Sequence, residues 1–86
     1  MSIQVELTYD MSRKLGVRNF ELDEAATVRD VVAMTASRFE QPEDFTKLSK
    51  CTAIAVNGVL MNYRKGMKTK LADGDRVGFV KAAAGG

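Results

Sequence analysis

The amino-acid sequence predicts an α+β domain in which one main helix packs across one face of a mixed sheet of four to five strands. Apolar and polar residues alternate over residues 3–9, as in a half-buried strand. A helix-spaced apolar pattern starts at Thr27, and short β-rich segments separated by turn residues follow it. The resulting order is strand, strand, helix, strand, short strand, strand. It lacks the regular alternation of a doubly wound parallel sheet.

The size of the chain agrees with this prediction. Its 86 residues are 45% hydrophobic and 28% charged, which is typical of one small globular domain. We expect the domain to span residues 1–81 and residues 82–86 to form a flexible C-terminal tail.

The first predicted strand has apolar residues at alternate positions: Ile3, Val5, Leu7 and Tyr9. Residues 10–16 then form a polar connection, from which Met11 and Leu15 can pack over the edge of the core. Gly16 indicates a hairpin turn. Residues 17–22 are predicted to form the second strand, with Phe20 and Leu22 on one face.

The main helix is predicted to start after Thr27. Thr27-Val28-Arg29-Asp30 fits a capping pattern in which the hydroxyl and the carboxylate bind free amides of the first turn. Apolar and small residues then recur at three- and four-residue intervals, and we interpret them as a core face: Val28, Val31, Val32, Thr35 and Phe39. Pro42 sets the outer limit of this helix.

The second half of the chain is predicted to contain three strands. Residues 43–50 form a connection, with a short helical turn after Pro42. Residues 52–56 form the third strand, and Asn57-Gly58 is a strong hairpin signal before the returning strand at 59–61. Asp73-Gly74-Asp75 supplies a tight turn before the last strand, on which Val77 and Phe79 face the core.

The chain ends in residues that can bury little apolar area: Ala82, Ala83, Ala84, Gly85 and Gly86. We expect this segment to project into solvent and to reach roughly 16–18 Å when it is extended at ~3.3–3.6 Å per residue. A slim arm with a carboxylate at its tip is suited to entering a narrow active site on another protein.

The pattern Leu-x-Asp-Gly-Asp-x-Val at residues 71–77, followed by an aromatic strand and Gly85-Gly86, resembles the MoaD/ThiS family of ubiquitin-like sulfur carriers. The resemblance implies a β-grasp fold with parallel first and last strands. It also implies that an ATP-using enzyme adenylates Gly86 and that the adenylate becomes a thiocarboxylate. Gly85 would allow passage through a closed channel. The stretch from Lys81 to Ala84 departs from the prolines that molybdopterin-synthase members often carry there.

The resemblance further implies that the chain is a carrier acted on by other proteins and has no catalytic residues of its own. The expected partners are an adenylating enzyme related to ubiquitin-activating enzymes, a sulfurtransferase or other persulfide donor, and the large subunit of a molybdopterin synthase. ATP and magnesium would be used by the activating enzyme, and no cofactor would be bound by this chain. Length and element spacing resemble the molybdopterin-synthase small subunit more than the shorter thiamine-type carriers.

Two other functions stay open. A ubiquitin-like modifier would be conjugated through Gly86 to lysines of target proteins, and it would begin with the same adenylate. A β-grasp interaction module or nucleic-acid binder would use the basic half of the chain, but the sequence lacks interleaved exposed aromatic residues for base stacking, so this is the weakest hypothesis.

Charge is distributed unevenly along the chain. Residues 1–46 hold five Lys and Arg against nine Asp and Glu, whereas residues 47–86 hold eight against two. A basic surface near the tail can steer docking onto an acidic partner, although a solvated face that maintains solubility explains it equally well. Six residues are candidates for docking a partner: Val80, Leu60, Met61, Arg64, Lys65 and Lys81. They could form a small apolar patch with a basic rim, and scattered exposed side chains are the alternative interpretation.

Several classes of site and location are disfavoured. The sequence contains no histidine and one cysteine, so zinc sites, Ser-His or Cys-His catalytic pairs and an internal disulfide are not expected. Cys51, at the start of an apolar strand, is predicted to be a buried structural residue and not a redox thiol. We expect a cytoplasmic protein without a signal peptide, membrane helix or nucleic-acid partner.

Overall fold

The computed structural model describes residues 2–82, which form a five-stranded mixed sheet with helices. The strands are β1 (Ile3–Glu6), β2 (Asn19–Leu22), β3 (Thr52–Val56), β4 (Val59–Leu60) and β5 (Arg76–Lys81). Their order across the sheet is β2-β1-β5-β3-β4. β1 and β5 are parallel, and the other neighbouring pairs are antiparallel. The predicted mixed sheet with parallel first and last strands is confirmed.

The core lies on one face of this sheet, which we call the inner face. Side chains alternate along strands, so the inner face receives every second residue of β1, β3 and β5. Except at the strand ends Thr52 and Lys81, these residues are buried: Ile3, Val5, Ile54, Val56, Val77 and Phe79. They form one cluster with apolar residues of the helices, including Val28 and Val31.

The main helix, α2 (Val28–Ala36), begins as the capping pattern predicts. The Thr27 hydroxyl accepts a hydrogen bond from the Asp30 amide at 3.3 Å, and the Asp30 carboxylate accepts one from the Thr27 amide at 3.1 Å. The helix ends six residues before Pro42. Phe39 therefore reaches the core from the turn that follows α2 and not from the helix itself.

The connection predicted at residues 10–16 is a helix, α1 (Tyr9–Leu15). The Thr8 hydroxyl accepts a hydrogen bond from the Met11 amide at 3.1 Å, and Gly16 ends the helix with a φ of +80°. Met11 is fully buried, which anchors the helix to the core. Gly16 is thus a helix cap, and the second strand begins at Asn19 because residues 17 and 18 lead out of the cap.

The short turn predicted after Pro42 is also a longer helix, α3 (Pro42–Ser49). Pro42 occupies its first turn, where a missing amide proton costs no hydrogen bond. Phe45 is buried and packs edge-on against Phe39 at 5.4 Å and Phe79 at 6.2 Å between ring centroids. This aromatic contact with β5 explains why the connection forms a packed helix.

Candidate functional site

Strand β5 leads directly to the C-terminal segment, and its two faces differ in character. In the register, Val77 and Phe79 lie opposite the buried Val56 and Ile54 of β3. Gly78 and Val80 lie on the opposite face, which we call the outer face. Val77 and Phe79 are buried, whereas Val80 is 42% exposed. The strand therefore joins the core on one side and presents a surface on the other.

Two turns predicted from the sequence contact each other at the start of β5. The Asn57 side chain donates to the Asp75 carboxylate at 3.0 Å and accepts from the Arg76 amide at 3.0 Å. The Asp75 carboxylate also accepts from the Ala72 amide at 2.7 Å. Asn57 has a φ of +51°, which asparagine tolerates better than most residues. No local pattern in the sequence indicates this contact, because the two residues are 18 positions apart.

The hydrogen bonds at this junction stabilise the charged form of Asp75. The Ala72 amide, followed by the Asn57 side chain and the nearby Arg64 charge, lowers the pKa of the Asp75 carboxyl below its usual value. Asp73 contributes separately, since its carboxylate accepts from the Ser2 amide at 2.7 Å. The junction thus holds β5 in place beside both β1 and the β3–β4 hairpin.

The far end of β5 continues the strand by one backbone hydrogen bond. The Ala82 amide donates to the Cys51 carbonyl at 2.9 Å. The other tail residues proposed from the sequence, Ala83, Ala84, Gly85 and Gly86, lie outside the described residues. Of the predicted tail, the structure describes only Ala82, and the flexible tail stays a prediction.

The prediction that Cys51 is buried is wrong. Cys51 is exposed, because it lies in the turn between α3 and β3, one residue before the strand begins. Alternation along β3 places the buried side chains at Ile54 and Val56 instead.

The apolar docking candidates lie on the outer face to different degrees. Leu60 pairs with Ala55, which also pairs with Gly78, and Val80 pairs with Ala53. Leu60 and Val80 therefore share the outer face, with Leu60 38% exposed. Met61 is half-buried and packs against the core cluster, so it offers less surface.

The basic docking candidates are exposed but lie apart from one another. Arg64 lies near enough to Asp75, the residue before β5, for its positive charge to lower the pKa of that carboxyl. Lys81 is the last residue of β5. Six residues at ~3.3 Å each separate these two ends by about 20 Å. Lys65 follows Arg64, and its amide donates to the Thr69 hydroxyl. The positive charges thus stand at both ends of β5.

Neither a metal cluster nor a membrane span is found within residues 2–82. No three His, Cys, Asp or Glu side chains come together there in a way that could hold a metal ion. No helix in the same range is both long and apolar enough to cross a bilayer.

The model of the ThiS family matches residues 10–86, which cover most of the chain and include both turns, β5 and the terminal glycines. The chain belongs to the ThiS family. The resemblance to MoaD/ThiS ubiquitin-like sulfur carriers is thereby confirmed. No curated protein sequence matches the chain.

Solved structures of several ubiquitin-like proteins share the fold. The small archaeal modifier protein 1 of Methanosarcina acetivorans is 20% identical, with a TM-score of 0.81 over 99% of this chain and 96% of that one. A chain in the complex of molybdopterin-converting factor subunits 1 and 2 of Helicobacter pylori is 22% identical, with a TM-score of 0.68 over 100% of both chains. A chain of the Amycolatopsis orientalis BexX/CysO complex is 20% identical, with a TM-score of 0.76 over 98% and 99%. These likenesses confirm the β-grasp prediction.

Proposed function

We propose that this ThiS-family protein carries sulfur on the carboxyl group of Gly86 and donates it in cofactor biosynthesis, as the small subunit of a molybdopterin synthase. The observation that carries the proposal is the family match, which extends through Gly86. β5 supports it, because the strand is anchored to the core by its inner face and is the last strand of the chain before Gly86.

The proposed chemistry begins with a poor electrophile. A C-terminal carboxyl has a pKa near 3.3 and is a carboxylate at neutral pH. An oxygen of the Gly86 carboxylate attacks the α-phosphorus of ATP, which releases pyrophosphate and forms an acyl adenylate. A persulfide sulfur of a donor protein then attacks the carbonyl carbon and displaces AMP. A second thiol reduces the resulting acyl disulfide, leaving a thiocarboxylate on Gly86 and a disulfide on the donor.

In this proposal the protein positions the reacting group and performs no acid–base step itself. The activating enzyme supplies ATP, magnesium and the catalytic side chains. Gly85 and Gly86 have no Cβ, so nothing hinders the reacting carbonyl or the walls of a closed channel. Ala82, Ala83 and Ala84 act as a spacer between that channel and the domain.

The outer face beside β5 is the proposed docking surface for these partners. Val80 and Leu60 supply exposed apolar area on this face, and Arg76, which alternates along β5 with Gly78 and Val80, adds a positive charge to it. The Helicobacter pylori relative, which is a complex of subunits 1 and 2 of molybdopterin-converting factor, supports a large-subunit partner here.

A ubiquitin-like modifier is the second candidate function. It is favoured by the likeness to a small archaeal modifier protein. A modifier and a carrier share the adenylate and differ in the nucleophile that follows, which is a lysine amine or a persulfide sulfur.

Intact-mass spectrometry of the protein from its native cell separates these functions. Replacement of one terminal oxygen by sulfur supports the carrier. A branched peptide that joins Gly86 to a lysine of another protein supports the modifier. A plain carboxylate throughout active cells contradicts both.

Deletion of Gly86 tests the role of the reacting residue. We expect the truncated protein to unfold at the same temperature as the wild type, because a glycine has no side chain to add to the core. We expect it to support no ATP–pyrophosphate exchange by the activating enzyme. Replacement of Ala83 by serine, which keeps the length and both glycines, serves as the control and should keep the exchange. Exchange with the truncated protein would refute the role of Gly86.

A further inference from the structure

The tip of the hairpin between β3 and β4 places an asparagine directly before a glycine in one exposed turn. Asn57 and Gly58 are both exposed, and both have positive φ values, of +51° and +85°. The chain has three asparagines, and Asn57 alone is followed by glycine. Asn19 and Asn62 are also exposed, but each is followed by an aromatic residue. The hairpin tip is therefore chemically distinct from the other two positions.

An asparagine that precedes a glycine can react with its own backbone. The backbone nitrogen of the glycine attacks the side-chain carbon Cγ of the asparagine and closes a five-membered succinimide ring. Glycine favours this attack, because it has no Cβ to hinder the approach and its backbone adopts more conformations than that of any other residue. An aromatic residue at the same place puts a bulky side chain beside the attacking nitrogen.

The hydrogen bonds of the turn leave the nucleophile free and polarise the electrophile. Among residues 2–82, the Gly58 amide donates to no acceptor. The Asn57 Oδ1 atom accepts a hydrogen bond from the Arg76 amide at 3.0 Å. Negative charge develops on this oxygen as the Gly58 nitrogen attacks, and an amide donor already directed at it stabilises that charge. The turn thus holds a free nucleophile next to a polarised carbonyl group.

We propose that Asn57 is a modification site, at which spontaneous deamidation opens the contact between the hairpin tip and the start of β5. A bond forms from the Gly58 nitrogen to Cγ of Asn57, and the Cγ–Nδ2 bond breaks. The proton of the Gly58 nitrogen passes to the leaving nitrogen, which departs as ammonia. Water then opens the ring at one of its two carbonyl carbons, which leaves an aspartate or an isoaspartate. One water molecule is consumed for each ammonia released.

The aspartate product places two carboxylates in contact. The Asn57 Nδ2 atom donates to an Asp75 carboxylate oxygen at 3.0 Å, and deamidation replaces this donor with an oxygen that has no proton. Like charges at this distance repel, so one carboxyl must bind a proton or the contact must open. Arg64, whose charge acts on Asp75, would have to compensate a second carboxylate as well. The isoaspartate product instead lengthens the backbone of the turn, which disturbs the pairing of Val56 with Val59.

Mass spectrometry of the aged protein tests the site. The folded full chain is incubated at mildly alkaline pH and digested with trypsin at intervals, and peptide fragmentation locates each amide-to-carboxyl exchange. We expect conversion at Asn57 to be at least about tenfold faster than at Asn19 and Asn62, the internal controls. Equal rates at the three asparagines, or no conversion at Asn57, overturn the assignment.

Asn57→Asp, which has the same side chain as the aspartate product, tests the consequence. We expect its midpoint of thermal unfolding at neutral pH to fall by roughly 4–8 °C, because the contact with Asp75 is lost. Combining Asn57→Asp with Asp75→Asn exchanges the carboxylate and the amide, which restores one donor and one acceptor. This exchange variant should recover most of the lost midpoint. Asn62→Asp adds the same charge at an exposed residue outside the contact and should leave the midpoint nearly unchanged.

A lower midpoint in Asn57→Asp that the exchange variant recovers supports the like-charge contact. An unchanged midpoint overturns it, and so does a loss that the exchange variant fails to recover. If Asn57→Asp does not fold, the converted wild type, separated by ion exchange, supplies the same measurement. The inference does not depend on the proposed carrier function, because none of these measurements involves Gly86.

Discussion

The two faces of β5 differ in burial, so that neighbouring residues of one strand contribute separately to the core and to the surface. On the inner face, Val77 is fully buried and Phe79 is 3% exposed, and both pack in the single core cluster. On the outer face, Gly78 leaves a recess and Val80 is 42% exposed. Because neighbouring residues point in opposite directions, surface residues can change without disturbing the core. Substitutions at the adjacent residues Phe79 and Val80 should therefore change the free energy of unfolding by very different amounts.

The largest effect is expected from Phe79→Ala. Phe79 packs edge-on against Phe45, and removing a buried phenylalanine side chain loses transfer free energy and leaves a cavity. We expect the free energy of unfolding to fall by about 3–5 kcal/mol in urea denaturation. A small domain has limited stability, so this variant should be largely unfolded near physiological temperature.

Val80→Ala is the matched control on the outer face. We expect it to change the free energy of unfolding by about 0.5 kcal/mol or less, because its side chain is already partly in solvent. Similar losses in the two variants would contradict the separation of the two faces.

The helices show what the sequence could and could not predict. α2 was predictable because its capping box and its apolar stripe span several turns, so that Thr27 and Asp30 mark its start unambiguously. α1 has seven residues and one buried side chain, Met11, which is too short for a periodic pattern to appear. Its signals were the Thr8 cap and the glycine at Gly16, which also fits a hairpin turn.

The candidate site was predictable where it depends on local chemistry. Asn57-Gly58 and Asp73-Gly74-Asp75 each predicted a turn, and alternation placed Val77 and Phe79 in the core. The contact between Asn57 and Asp75 depends on the pairing of distant strands, so no local pattern encodes it. The recess beside Gly78 was equally hidden, because it depends on Ala55 lying opposite Gly78 across two strands.

The next largest effect is an increase in the free energy of unfolding, and it concerns the buried hydroxyl of Thr35. Among the described residues, Thr35 is fully buried and its hydroxyl has no hydrogen-bond partner. Burying an unpaired hydroxyl costs free energy, and valine has nearly the same shape without it. We expect Thr35→Val to raise the free energy of unfolding by about 1 kcal/mol in urea denaturation.

Thr69→Val is the control, since Thr69 is also buried but its hydroxyl accepts from the Lys65 amide and donates to the Gly66 carbonyl. This change should lower stability by about 1 kcal/mol or more, because it leaves the Lys65 amide without its partner and removes one of the two hydrogen bonds that the Gly66 carbonyl accepts. If both variants shifted stability in the same direction, the hydrogen bonds of these hydroxyls would not explain the difference.

The smallest effect is expected from the carboxylates that organise the turns and caps away from the core. The pKa of the Asp30 carboxyl is lowered mainly by a hydrogen bond from the Ala26 amide. The pKa of the Asp75 carboxyl is lowered mainly by a hydrogen bond from the Ala72 amide. An aspartate in an unfolded chain has a pKa near 3.9. Each of these two carboxyl groups therefore binds its proton less tightly in the folded protein than in the unfolded chain. The resulting stabilisation is complete above about pH 5 and is lost as the pH falls below about 4 towards the folded values.

Urea denaturation between pH 7 and pH 3 checks this, with the double variant Asp30→Asn and Asp75→Asn. We expect the double variant to be less stable at pH 7 and to lose less stability on acidification than the wild type. Asp23→Asn, at an exposed residue of the loop between β2 and α2, should leave the acid dependence nearly unchanged. Equal slopes for the wild type and the double variant would show that the turn carboxylates do not couple folding to pH. The mutual contact of Asp75 and Asn57 would then position β5 by geometry alone.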